Sequence, residues 1–166
     1  MPVAVVTGTP TTDADTLLDA LSEVQDDCGL AVVQAFDADH VADRDHLQRA
    51  FDLAERERGR GDAIARDRAM EVLLYAAGRR QIERALTMGA QPDEPAAVLV
   101  AGDEDAVGRG VPAVQALDCL DAHDAPLGDP ATLRAFFGVG DAELAVAGGD
   151  LAGLVHERVA LLVVER

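Results

Sequence analysis

The 166-residue chain contains no lysine and no tryptophan, and one tyrosine and four phenylalanines supply all its aromatic rings. So few rings leave little for a groove of stacked bases of the kind that sequence-independent single-strand binders use. Cysteine is scarce as well. Cys28 and Cys119 form no CxxC pair and no disulfide framework, and they read as reduced, small hydrophobes. No apolar run approaches the roughly 18 residues of a membrane span, and no secretory leader is visible. The expectation is a soluble, cytoplasmic protein with no membrane partner. Also missing are a Ser–His–Asp arrangement, a nucleophile elbow and a dinucleotide glycine pattern, so no catalytic constellation emerges and no cofactor is expected.

Acid is abundant. Thirty-one Asp and Glu face 14 Arg, for a net charge of −17. An acidic surface with Arg in place of Lys suits a salty cytoplasm. In molar salt the screening length shrinks to about 3 Å, so distant acids scarcely repel an approaching phosphate, whereas close, fitted Arg contacts survive. Nearly half of the chain is apolar (49%), which excludes the composition of disorder. At this length one domain over residues 1–166 is expected, burying roughly 68–70% of its unfolded surface.

The charge is not evenly spread. Eight of the arginines (56, 58, 60, 66, 68, 79, 80 and 84) fall within residues 56–84, against five acids, so this window carries +3 and the rest of the chain −20. Within it, Met70, Leu73, Leu74 and Ala77 recur at helical steps, as do Ile82, Ala85 and Leu86. Asp67 is placed to cap the first run and Gly89 to end the second in a left-handed turn. Between the stripes lies Gly78-Arg-Arg-Gln81, a glycine-hinged basic elbow able to present donors to an anion. The competing reading pairs these arginines with neighbouring acids along exposed helix faces.

Along the rest of the chain, Val3–Val6 reads as a strand. The following Gly8-Thr-Pro-Thr-Thr-Asp13 fails as a phosphate loop, because Asp13 and Ala14 stand where Gly and Lys belong. Thr12 or Asp13 instead caps a helix with Leu17, Leu18, Leu21 and Val24 on one face. Leu30–Phe36 and Ala96–Ala101 read as buried strands. A helix over about 43–58 turns Leu47, Ala50, Phe51 and Ala54 inward. Asp39, His40, Asp43 and His46 have metal-ligand chemistry but no HExxH spacing, and Cys119 and His123 lack a partner pair, so no metal site is expected. Residues 107–126 are Gly-interrupted and give no clear pattern. Asp129-Pro130 opens a helix through Phe137, Asp141 a short one, and Asp150 a terminal helix. In that last helix Leu154, Val155, Val159 and Leu162 form an apolar face, either core or a docking surface for a partner. Strands separated by helices imply an α/β domain, a small mixed sheet covered by helices.

The stretch Asp67-Arg-Ala-Met-Glu-Val-Leu-Leu-Tyr75-Ala-Ala-Gly-Arg-Arg-Gln-Ile82 resembles the signature of the small, kinase-binding (TPRKB-like) accessory subunit of the KEOPS (EKC) tRNA-modification complex, of haloarchaeal type. Gln34–Asp39, His46-Leu47 with Ala50, and Glu157–Leu162 are similar as well, whereas residues 107–126 match nothing. The resemblance implies a non-catalytic subunit that supports threonylcarbamoyl-adenosine formation in tRNA. It implies binding to the complex's atypical kinase/ATPase and recruitment of tRNA by its single-stranded 3′ CCA end. On that basis Arg68, Arg79 and Arg80 are expected to contact RNA, with Tyr75 and Gln81 assisting. Leu154, Val155, Val159 and Leu162 are expected to dock the kinase. Two alternatives stand beside this: an adaptor that binds the kinase and no RNA, and a nucleotide-handling enzyme built on the degenerate Gly8 loop.

Overall fold

Among the described residues six helices open on an aspartate whose carboxylate accepts a backbone N–H of the first turn: Asp13, Asp43, Asp67, Asp103, Asp129 and Asp150. Each cap satisfies a donor that the helix itself leaves without a partner. These caps fix most helix starts in the computed structural model, which describes residues 1–164. The α/β class holds. The chain groups into two compact units, Met1–Ala38 with Gly89–Pro126, and Asp39–Met88 with Leu127–Arg166.

The first unit contains β1 (Val3–Pro10), α1 (Ala14–Cys28), β2 (Val32–Asp37), β3 (Ala96–Ala101), α5 (Glu104–Gln115) and β4 (Leu120–Ala122). Its sheet has the order β2-β3-β1-β4 and is antiparallel at every pairing, where a mixed sheet was expected. The reason lies in the crossover. Helix α1 carries the chain from β1 to a β2 of the same direction, but β3 lies between them and runs against both. This is the split β-α-β-β-α-β arrangement. Leu17, Leu21 and Val24 of α1 and Ala106 and Val114 of α5 pack on Val6, Val33, Val98 and Val100.

Two glycines show how closely that unit is packed. A Cβ on Gly8 would lie 2.7 Å from the Asp121 carbonyl oxygen and 3.0 Å from the Ala122 Cα. Gly8 therefore admits β4 to the edge of β1, and β1 continues through it to Pro10 as strand rather than phosphate loop. A Cβ on Gly110 would come within 2.7 Å of Leu30 and 3.0 Å of Val100. The Gly-interrupted segment is thus the helix α5, laid close against strand and loop side chains.

Among its described residues the second unit is helical: α2 (Arg44–Gly59), α3 (Arg68–Ala77), α4 (Ile82–Ala85), α6 (Pro130–Phe137), α7 (Asp141–Val146) and α8 (Leu151–Val164), with a 3-10 turn over Leu86–Met88; a further 3-10 turn, Ala38–His40, begins on the last residue of the first unit's opening segment. Residues 71–77 of α3 are buried without exception. Two of the polar groups buried here are tied to backbone. Glu71 accepts N–H bonds from Ile64 (2.8 Å) and Ala65 (3.1 Å), pinning the loop before α3. His46 spans two helix ends: its Nδ1 accepts from Ala42 N–H (3.0 Å) and its Nε2 donates to the Ala76 carbonyl (2.8 Å). Burial holds this imidazole neutral, with its pKa lowered to about 4.

Candidate nucleic-acid interface

The elbow begins where α3 stops. Gly78 takes a left-handed conformation (φ 62°), and its N–H reaches back to the carbonyls of the last turn. A Cβ there would lie 3.2 Å from the Arg158 carbonyl oxygen, so the position combines a glycine-type backbone with a tight neighbour. Helix α4 is a single turn, and the chain leaves it through the 3-10 turn Leu86–Met88. The left-handed end expected at Gly89 is not formed: α4 ends at Ala85 with Leu86 in a right-handed conformation, and Gly89, which does not take a positive φ, forms an isolated antiparallel bridge with Phe36.

Within this elbow the two neighbouring arginines part company. Arg79 turns inward: its guanidinium donates to the Phe136 carbonyl (2.6 Å) and sits over the Phe136 ring, 4.9 Å from its centroid. Desolvation by burial, and then repulsion from Arg84, pull its pKa below the usual arginine value. Arg80 is exposed, and so are Gln81, Ile82, Glu83 and Arg84. Neither the Arg80 nor the Arg84 side chain has a hydrogen-bond or ion-pair partner among the described residues. Ile82 and Leu86, expected on an inner face, are 48% and 49% exposed, and Ala85 alone of the three is buried.

The other basic residues of the window are engaged to different degrees. Arg68 pairs with Glu55. Arg60 and Arg56 lie 3.5 and 3.9 Å from the buried Glu57 carboxylate. Arg58 donates to the Arg66 carbonyl (2.7 Å). The local pairing that charge spacing suggested therefore accounts for Arg56 and Arg60, Arg68 pairs with an acid 13 residues away, and the side chains of Arg66, Arg80 and Arg84 have no partner among the described residues.

Tyr75 is fully buried in the middle of α3, with no ring face available for a base. Its neighbours in sequence place it at the elbow, but the helix turns it into the core. Arg68 and Arg79 are likewise committed to protein partners. Of the five residues expected at RNA, Arg80 and Gln81 are the two that the fold leaves fully open.

The apolar face of α8 also turns inward. Leu154, Val155, Val159 and Leu162 are all buried, so they form core and present no exposed docking stripe. On another side of α8, His156 and Ala160 line an open groove of about 260 Å³ with Arg49, Asp52 and Leu53 of α2. His156 Nε2 lies 2.9 Å from Asp43 Oδ1, and Asp43 also caps α2 through His46 N–H. His40 meets the Phe136 ring edge-on. Asp39, His40, Asp43 and His46 do not converge, and no group of three or more His, Cys, Asp or Glu among the described residues is placed to hold a metal ion. No helix among the described residues is long and apolar enough to cross a membrane.

Sequence reasoning located the elbow by its charge but missed what separates Arg79 from Arg80. The deciding partner, Phe136, is 57 residues further along the chain. Comparison with protein-family models and with curated proteins finds no match.

Proposed function

We propose that this chain is a non-catalytic accessory subunit of the KEOPS type, which binds the complex's atypical kinase/ATPase and recruits tRNA through its 3′ CCA end. The observation that carries the reading is the exposure of Arg80 and Arg84 around Gln81, with no side-chain partner among the described residues; Arg80 and Gln81 fall inside the stretch that resembles the family signature and Arg84 lies two residues beyond it. An unpaired guanidinium needs no internal ion pair broken before it meets a phosphate, and its planar fork suits phosphate oxygens and base edges alike. The Gln81 amide offers both a donor and an acceptor. Single-stranded ends are read through such edges, because their bases are not paired away.

A second reading has its own support. Arg68 and Arg79 are spent on protein partners, and Ile82 and Leu86 expose apolar surface in the same segment. That combination suits an adaptor that meets a protein there and binds no RNA. Gly8 lies inside a paired strand, which lends the nucleotide-handling alternative no support.

The test is binding of intact tRNA and of tRNA trimmed of its CCA end, in high KCl. Binding that disappears on trimming supports the RNA-recruiting reading. Absence of binding to either overturns it in favour of the adaptor.

A further inference from the structure

We infer that Arg79 is a positioning residue for the elbow: it anchors the Gly78 turn onto α6 so that Arg80 is held facing outward, and it makes no phosphate contact of its own. The inference rests on the RNA-recruiting reading and assigns a residue to that same site.

Three observations meet at this side chain. Its guanidinium is bound at both its edge and its face, by the Phe136 carbonyl at 2.6 Å and by the Phe136 ring at 4.9 Å. The Phe136 ring is in turn held edge-on by His40 and by Phe137, with centroids 5.1 and 4.9 Å away. The ring that Arg79 grips is therefore itself fixed. Finally, past the backbone bonds that Gly78 and Arg79 return to Tyr75 and Leu74, no side chain of residues 80–84 holds the elbow: all five are exposed, and Gln81 caps α4 with no side-chain hydrogen bond.

The chemistry of the contact sets the consequence. A guanidinium that donates to a carbonyl and stacks on a ring is partly desolvated, and to reach a phosphate it would have to give up both partners. Its role then shows in the geometry of its neighbour. If the released elbow holds the competent arrangement about a tenth of the time, apparent affinity falls about tenfold although every phosphate is still met by the same side chain.

The experiment is tRNA binding as a function of KCl for the full chain and for Arg79→Ala, Arg80→Ala and the double variant. For Arg79→Ala the expected result is a roughly tenfold weaker affinity with an unchanged slope of log K against log salt, since that slope counts phosphates neutralised. For Arg80→Ala the slope falls by about 0.7, the value for one single-strand phosphate. In the Arg80→Ala background, Arg79→Ala costs little more, because positioning acts through the residue already removed. A general loss of stability would instead weaken binding equally in both backgrounds. Phe136→Leu, which removes the ring and leaves the carbonyl that Arg79 also binds, should weaken affinity in the same way by a smaller factor, again with an unchanged slope.

A slope that falls on Arg79→Ala, costs that add fully, or an affinity unchanged from the parent would each overturn the inference. Failure of the parent protein to bind tRNA at all would overturn the RNA reading and this inference together, and it is recognised by the same absence with trimmed tRNA.

Discussion

One continuous stretch of sequence becomes two very different surfaces. Residues 71–77 of α3 have no exposed member, whereas residues 80–84 of the elbow have no buried one. The change takes place over Gly78 and Arg79, where the chain turns through a left-handed glycine and clamps the turn to Phe136. Before the turn, polar groups serve the fold: Glu71 holds a loop by its amides, and Tyr75 fills the interior. After the turn, the guanidinium groups of Arg80 and Arg84 have no hydrogen-bond or ion-pair partner among the described residues. A resemblance spanning both halves therefore mixes residues kept for packing with residues free to meet a partner, and only burial separates them.

The comparison can be broken at several points, and the largest effect is expected on the buried side. Glu71→Ala should destabilise the protein by about 4 kcal/mol, since two backbone amides lose a charged acceptor together. Urea unfolding would show it, and Glu71→Gln should recover part of the loss because the amide oxygen still accepts. A cost near zero would mean that loop 61–66 does not depend on this carboxylate.

His46 predicts an effect of similar size that pH controls. The folded imidazole has a pKa of about 4 against 6.5 unfolded, so the unfolded state takes up the proton first. Stability should be at its full value above pH 6.5 and should fall by up to about 3 kcal/mol as pH drops to 4, with no further loss from this group below that. An imidazole titrating near 6.5 in the folded protein, followed by NMR, would contradict the assignment.

At the boundary itself, Gly78→Ala should cost about 1–2 kcal/mol, for the strain of a left-handed backbone in a residue with a Cβ. The Arg158 carbonyl, 3.2 Å from that Cβ, must also give way slightly. A midpoint shift in thermal or urea unfolding measures the effect. On the exposed side Arg80→Ala should leave stability within about 0.5 kcal/mol of the parent, as expected where a side chain has no partner to lose.

Much of this was legible in the sequence, and for specific reasons. Asp67, Asp43 and Asp129-Pro130 announce helix starts because caps act locally, and all three do so in the structure. The stripe Met70, Leu73, Leu74 and Ala77 shows that α3 packs on one face, but not that Glu71, Val72 and Tyr75 are enclosed on the others. Periodicity reports the first face buried and is silent about the rest. Strand β4 gives no sequence signal because it has three residues, of which Leu120 alone is buried. Helix α5 is obscured by Gly108, Gly110 and Pro112, although Gly110 is there because Leu30 and Val100 leave no room for a side chain. The apolar face of α8 is legible as a face, and its burial is decided by helices far away in sequence. Arg79 and Arg80 are adjacent and chemically identical, so no local pattern could tell them apart.

The most direct measurement is the salt dependence of tRNA affinity for the protein and for its Arg80→Ala, Arg84→Ala double variant. The exposed half of the motif, acting as an RNA contact, predicts a slope lower by about 1.4, two single-strand phosphates' worth, with thermal stability unchanged. Equal affinity and equal slope in the two proteins would contradict that claim and leave the elbow to a protein partner.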